Sequence, residues 1–309
     1  MNSSKADGPS EYPLVSIGLP VFNDEKSIKN SIQAIINQSF QNWELIISDN
    51  NSSDETSKII KECIKFDDRI FFYKQEINIG MYPNFEFVLN KSKGQYFHWL
   101  GSDDSRSANF LEDNISFLEE HPDFVASCSS KYFGAIDKIQ NNNINFSLDQ
   151  DLAYKRINWL LTNIMQSHSI YYSVVRTSII KQCQFLGEHF LSQDWIVDIH
   201  MAKHGKIALQ NNSYIIIGER GISKVNPYKP FRLIWIEYIV PLYTFHKKFN
   251  KLTSNFDFKS KVKFQVKMAL LHSTITRIRF MRSLRKILKK LIKDKVRAIY
   301  QKWNQILIK

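Results

Sequence analysis

An apolar, aromatic run, Gly94-Gln95-Tyr96-Phe97-His98-Trp99-Leu100-Gly101-Ser102, ends abruptly in adjacent carboxylates, Asp103 and Asp104. Paired carboxylates suit a hard divalent cation that keeps several waters and shares phosphate oxygens with a substrate. The run itself reads as a buried strand, and the carboxyl end of a strand is where an open α/β sheet presents ligand-binding groups. Taken alone the pair is ambiguous, because a solvated loop with a helix N-cap explains it equally well. Its value comes from three further clusters: Pro20-Val21-Phe22-Asn23, the turn-rich Asp49-Asn50-Asn51-Ser52-Ser53-Asp54, and Gln193-Asp194 at the start of an apolar helical pattern.

The elements that must position these clusters follow from hydrophobic spacing. Val15–Val21 is a short β-rich run, after which Asn23 or Asp24 can cap a helix carrying Ile28, Ile32, Ile35 and Ile36. Trp43–Ser48 is a second strand, and Ser53 or Asp54 can cap a helix through Ile59, Ile60 and Cys63. Ile70–Tyr73 is a third strand, Asn78-Ile79-Gly80 a turn, and Tyr82–Asn90 a helix that leads into the aromatic strand. Beyond Asp104 the pattern predicts a helix over Phe110–Glu120, strands over Phe124–Ser129 and Ser169–Val175, a helix over Ser192–His204 ended by Gly205, and a strand or hairpin over Ile207–Ile217. The Asn-rich stretch 137–151 predicts a surface loop. Alternating strands and helices indicate βαβ units in a largely parallel sheet, whose carboxyl ends would gather the polar clusters into one crevice.

Taken together, Val15-Ser-Ile-Gly-Leu-Pro20-Val-Phe22-Asn23, Trp43-Glu-Leu-Ile-Ile-Ser-Asp49-Asn50, Gly94-x-Tyr96-x-x-Trp99-Leu-x-x-Asp103-Asp104 and Gln193-Asp194-Trp195 resemble the inverting family 2 glycosyltransferases of the GT-A fold. The resemblance covers about residues 12–220. It implies a Rossmann-like, mostly parallel central sheet flanked by helices, and transfer of a sugar from a nucleotide-diphosphate donor to an acceptor hydroxyl with inversion. It assigns Pro20, Phe22 and Asn23 to the nucleotide base, and Asp49 and Asn50 to base and ribose. Asp103 falls to the ribose or a metal-bound water, and Asp104 to a Mg²⁺ or Mn²⁺ ion. Asp194 becomes the general base, with Gln193 in place of the commoner Glu. The resemblance points to a glycan or lipid-linked acceptor in bacterial surface-polysaccharide synthesis. Two other readings compete with it. A sugar-nucleotide pyrophosphorylase would carry a glycine-rich loop after the first strand, which Pro20–Asn23 lacks; a non-catalytic nucleotide-sugar or glycan-binding protein would not need Asp103, Asp104 and Asp194.

Other chemistry-bearing residues read more plainly. His200 and His204 stand at i and i+4 without the flanking Glu of a zinc helix, and predict a polar helix face. Arg176 reads as structural or acceptor-facing, and a loop at Arg220–Ser223 with Tyr228 could close over a diphosphate. Cys63, Cys128 and Cys183 form no framework and read as reduced thiols.

With 309 residues and 43% hydrophobic content, the chain can bury a substantial core. Its net charge of +12 is uneven: Lys247–Lys309 holds 19 Lys/Arg against Asp257 and Asp294, which is +17 and leaves −5 for residues 1–246. The basic character therefore belongs to the tail, and no nucleic-acid partner is expected for the main domain. The expected division is a GT-A domain over 12–226 and a basic helical extension over 227–309. Within the extension, Ile278, Met281, Leu284, Leu288, Leu291 and Ile292 alternate with Arg and Lys. Such a cationic amphipathic helix favours an anionic membrane surface, with nucleic acid as the rival partner and a core-packed helix as the remaining alternative. No signal peptide and no membrane span is expected, which predicts a cytoplasmic protein peripheral on the inner membrane face.

Overall fold

The computed structural model describes residues 13–133, 148–166, 170–218, 236–237 and 240–307, with side chains described to Arg285. Most of the 137–151 stretch and the whole Arg220–Tyr228 segment lie outside the described residues.

The chain runs β1 (Val15–Val21), α1 (Ile28–Ile36), β2 (Trp43–Asp49), α2 (Thr56–Cys63), β3 (Ile70–Lys74), α3 (Met81–Lys91), β4 (Tyr96–Trp99) and β5 (Ser105–Arg106). It continues through α4 (Phe110–Glu120), β6 (Phe124–Phe133), α5 (Ala153–Asn163), β7 (Val174–Arg176), α6 (Thr177–Ile180), α7 (Gln193–His204) and β8 (Lys206–Ile217). Two helices follow, α8 (Tyr243–Leu252) and α9 (Phe258–Leu307). A single sheet has the order β3-β2-β1-β4-β7-β6-β8-β5. The first four of these strands are parallel, as the βαβ alternation requires.

Every residue of β1 and β2 is buried, because helices cover both sheet faces and both side-chain sets of a strand must then be apolar or paired. On one face α1 contributes Ile28, Ile32 and Ile35; on the other α3 contributes Val88 and Leu89. Gly18 lets α3 come close: a Cβ there would lie 2.6 Å from Val88 Cγ2.

The far half of the sheet departs from the parallel pattern. β7 runs antiparallel to both β4 and β6, and β5 runs antiparallel to β8. The strand expected over Ser169–Val175 is reduced to its end, because Ile170–Ser173 forms a turn closed by Ser173 N–H on the Ile170 carbonyl at 3.0 Å. Ile207–Ile217 is one strand and no hairpin; it pairs in parallel with β6 across two register irregularities.

The start of the extension shares the main core. Phe245 and Phe249 of α8 and Phe264, Met268, Leu271 and Ile275 of α9 belong to the same buried cluster as Trp99, Leu160 and Ile196. Each such side chain contributes about 1.5–3 kcal/mol on burial, so α9 is anchored to the domain as far as Ile275. The cationic amphipathic helix foreseen around Ile278–Ile292 is its continuation. No helix among the described residues is long and apolar enough to cross a membrane.

Candidate active site

The ends of β1 and β2 are laced together. Asn23 takes a left-handed conformation (φ 51°), its N–H donates to Ser52 Oγ at 2.8 Å, and its Oδ1 accepts Ser53 N–H at 2.8 Å. Asp49 is fully buried; Oδ1 accepts Ser52 N–H at 2.9 Å and Oδ2 accepts the Ser57 hydroxyl. Asn50 donates through Nδ2 to Asn78 Oδ1 (3.0 Å) and the Gly80 carbonyl (3.1 Å), and accepts Ile79 N–H at 2.8 Å. Asn23, Asp49 and Asn50 thus shape the loops with the same groups expected to face a nucleoside. Pro20 is buried opposite Ser48, while the Phe22 ring stays 48% exposed at this edge. Ser102 Oγ donates to Asp24 Oδ2 at 2.7 Å and ties this corner to the Asp103–Asp104 turn.

That turn is held from beneath by Ser31 Oγ, 2.7 Å from the Ser102 carbonyl and 2.8 Å from that of Asp104. Asp104 is buried; Oδ1 accepts Gly218 N–H at 3.0 Å, and Oδ2 has no hydrogen-bond partner. The nearest cation is Arg106, whose Nη2 lies 3.6 Å from Oδ2. Burial raises the Asp104 carboxyl above its ordinary range, with Arg106 opposing the rise. Gly101 has to lack a side chain, since a Cβ would come 2.7 Å from Asp104 Oδ2. The donor set decides what ion could fit. Among the described residues no three His, Cys, Asp or Glu side chains converge, so an all-protein cage is not built. A hard-oxygen pair with one unsatisfied buried acceptor does fit an ion that completes its shell with water and substrate phosphates.

Further along the chain, Asp194 occupies the first turn of α7, behind Ser192 in a left-handed conformation (φ 66°). Its carboxylate accepts the Trp195 and Asp194 backbone N–H groups, the orientation that a helix N-terminus favours. Part of the residue reaches solvent, yet its carboxyl is closely packed, and burial pushes its pKa up to about 6. Asp198, one turn on, is buried outright with Oδ1 unpartnered; burial first, then Asp194, push it well above the usual carboxylate range. Tyr82, Tyr171 and Tyr172 wall this side, with Tyr171 stacked on Trp99 at 4.8 Å. Tyr172 interacts electrostatically with Asp104, Arg106, Asp194 and Asp103, so its phenol feels both acidic groups.

The sequence profile described as glycosyl transferase family 2 matches residues 16–182, more than half of the chain. The chain belongs to that family. Among curated relatives, a Campylobacter jejuni GalNAc(5)-diNAcBac-PP-undecaprenol β-1,3-glucosyltransferase is 27% identical over 58% of this chain and 56% of its own length. An Escherichia coli UDP-Glc:α-D-GlcNAc-diphosphoundecaprenol β-1,3-glucosyltransferase, WfgD, is 32% identical over 47% of this chain and 54% of its own. The chain spans about half the length of the curated relatives it matches. In fold, it resembles residues 1–349 of Staphylococcus aureus TarS in complex with UDP-GlcNAc, with TM-score 0.56, 16% identity, and coverage of 82% of this chain and 79% of that one. Pyrobaculum calidifontis mannosyltransferase PcManGT, in complex with GDP-Man and Mn²⁺, gives TM-score 0.50 at 12% identity over 69% of this chain and 59% of that one. The GT-A architecture expected of a family 2 member is thus present.

Several site features escaped the sequence reading. Arg106, two residues past the carboxylate pair, carries no sequence signal and is entirely buried. Asp198, one turn past Asp194, is buried beside it. His200 does not lie on a polar face: it is buried, Nε2 sits 2.9 Å from the Ile179 carbonyl, and burial lowers its pKa to about 4. Arg176 is structural, donating to the carbonyls of Phe124 (2.9 Å) and Leu118 (2.7 Å) and to the Tyr96 hydroxyl (3.1 Å).

Proposed function

We propose that the chain is an inverting glycosyltransferase. It would move a sugar from a nucleotide-diphosphate donor to an acceptor hydroxyl in bacterial surface-polysaccharide or lipid-linked glycan synthesis. The observation that carries this reading is that Asp104, Asp194 and Asp103 all act electrostatically on one phenol, that of Tyr172. The names of the C. jejuni and E. coli relatives, both transferases of diphosphoundecaprenol-linked sugars, support the acceptor class.

In this reading Pro20, Phe22, Asn23, Asp49 and Asn50 form the nucleoside end, with the exposed Phe22 ring offered to the base. Asp103 meets the ribose side, and Asp104 would hold Mg²⁺ or Mn²⁺. When bound, the ion would supply electrostatic stabilisation to the charge developing on the departing diphosphate. Asp194 takes the acceptor proton as the hydroxyl oxygen bonds the anomeric carbon and the bond to the diphosphate oxygen breaks. A carboxyl with a pKa near 6 is still ionised at neutral pH and is a stronger base than an ordinary carboxylate. The test is transfer of sugar from a panel of UDP-, dTDP- and GDP-sugars to polyprenyl-diphosphate-linked acceptors, with Mn²⁺. Nucleotide-sugar binding without transfer or donor hydrolysis across the panel would favour a binding protein.

The proposal includes attachment to the anionic inner face of the cell membrane. Phe258, Val262, Val266 and Leu270 of α9 form an exposed stripe at i, i+4 spacing, away from the face that packs on the domain. Lys259, Lys263 and Lys267 accompany it, and no acid occurs from Phe258 to Lys293. An apolar stripe in a basic field suits an anionic bilayer, with about 1 kcal/mol per basic residue near the surface. Flotation with phosphatidylglycerol vesicles at low salt, lost at high salt and in Val262→Ser/Val266→Ser/Leu270→Ser, is the expected result. Equal recovery with purely zwitterionic vesicles would defeat the electrostatic part.

A further inference from the structure

A fully buried guanidinium is costly unless a counter-charge compensates it. The Arg106 side chain is 0% exposed. Its Nε donates to His98 Nε2 at 3.1 Å, Nη1 to the Ser105 carbonyl at 2.8 Å, and Nη2 to the Trp99 carbonyl at 3.5 Å. The rings of Phe110 and Tyr172 flank it, with centroids at 5.5 and 5.7 Å. All of these groups are neutral. His98 is buried beside the guanidinium, and both effects hold it well below its ordinary pKa. With Nε2 accepting from Arg106, its proton belongs on Nδ1, which faces the Ser173 carbonyl at 3.4 Å. The counter-charge beside Arg106 is therefore Asp104, at 3.6 Å through the oxygen that has no hydrogen-bond partner.

We propose that Arg106 acts as a resident cation at Asp104, so that a divalent ion joins the site only together with the donor diphosphate. This rests on reading Asp104 as the metal ligand. An ion arriving alone meets a carboxylate with one oxygen on Gly218 N–H and the other turned toward a permanent positive charge. Like-charge repulsion at this range opposes it, and no further carboxylates converge to outweigh the repulsion. A diphosphate changes the sign of the local field by bringing its own negative oxygens. Arg106 cannot respond by losing its proton. The His98–Ser173 tether also resists its swinging away. Arg106 is thus a positioning and gating residue, acting through Asp104 without touching substrate.

The experiment is Mn²⁺ titration of the full chain by calorimetry and by electron paramagnetic resonance of free Mn²⁺, with and without UDP. Wild type should bind Mn²⁺ measurably only when UDP is present. Arg106→Gln should bind Mn²⁺ alone, at least about tenfold more tightly than wild type, because the repelling charge is gone. Arg106→Lys keeps the charge and should stay silent toward Mn²⁺ alone. Wild type binding Mn²⁺ alone as tightly as with UDP would overturn the proposal. So would an unchanged Arg106→Gln protein, or Mn²⁺-alone binding by Arg106→Lys. Should Arg106→Gln fail to fold, the wild-type comparison and Arg106→Lys still decide. Asp104→Asn separates the two layers. Mn²⁺-dependent UDP binding that survives in it removes the metal assignment itself, whereas loss there with an unaltered Arg106→Gln removes only the gate.

Discussion

Asp104 and Asp194 are both carboxyls raised by burial, yet the regions around them are built differently. Asp104 sits in a wired corner, where Ser31, Ser102, Gly218 and Arg106 fix backbone and side chain through hydrogen bonds and charge. Asp194 sits on a helix end in an aromatic wall, held by backbone N–H groups and otherwise by packing. The first arrangement suits a group that must keep its charge in place for a ligand. The second suits a group that must pick up a proton and let it go.

The largest expected effect tests that division of labour. Asp194→Asn should lose transfer by about 10²–10⁴-fold, the span of a general base, with donor binding close to wild type. Full activity in this variant would take Asp194 out of the mechanism. Asp104→Asn should act on the other term and weaken Mn²⁺-dependent UDP binding by about tenfold or more, since an amide offers no ionised oxygen to a hard cation. If Asp194→Asn weakens UDP binding as much as Asp104→Asn does, the two regions are not functionally distinct.

The wired corner was largely legible in the sequence and the packed wall was not. Asp49, Asp103 and Asp104 end strands whose apolar runs are local, so the edge they share follows from the βαβ alternation alone. Asp194 was legible as well, because Gln193–Gly205 carries its own helical spacing and stop. Arg106 was invisible because its burial depends on His98, Phe110 and Tyr172, the last brought from far along the chain by the antiparallel β7 turn. Asp198 was invisible for a related reason. Its position on α7 is covered only once the sheet and the helices α5 and α8 pack around that helix. The tail was half legible. Its basic composition stands in the sequence, but the anchoring of Phe264, Met268 and Ile275 in the main core does not.

A smaller effect follows from the proton at Asp194. The base works only when ionised, so kcat/KM should rise with pH through about 6 and level off above it. Below the midpoint the rate should fall about tenfold per pH unit. A profile flat from pH 5 to 8 would separate the observed transfer from Asp194. Asp198, Tyr82, Tyr171 and Tyr172 face the same carboxyl, and Lys131 faces Asp198. The buried Asp198 and the tyrosines are shifted toward their neutral forms, so the acid limb belongs to Asp194.

The smallest effect is on stability, and it should differ in size between the two regions. Asp194 is raised from its ordinary carboxylate value to about 6, so between those values the folded chain binds more protons than the unfolded chain. Stability from the neutral carboxyl is therefore present at low pH and lost as pH rises through about 4 to 6. At neutral pH the ionised carboxylate costs the fold about 1–3 kcal/mol, with the partial solvent contact favouring the low end. Asp194→Asn should recover that amount at pH 7.5 and little at pH 4. Asp104→Asn should recover less, because Asp104 is also raised by burial but the amide leaves the Arg106 guanidinium buried without a counter-charge. Urea midpoints of both variants at pH 4 and 7.5 make the comparison. If Asp104→Asn gains as much stability as Asp194→Asn at pH 7.5, Arg106 is not compensated by Asp104, and the contrast between a wired corner and a packed wall fails at its electrostatic root.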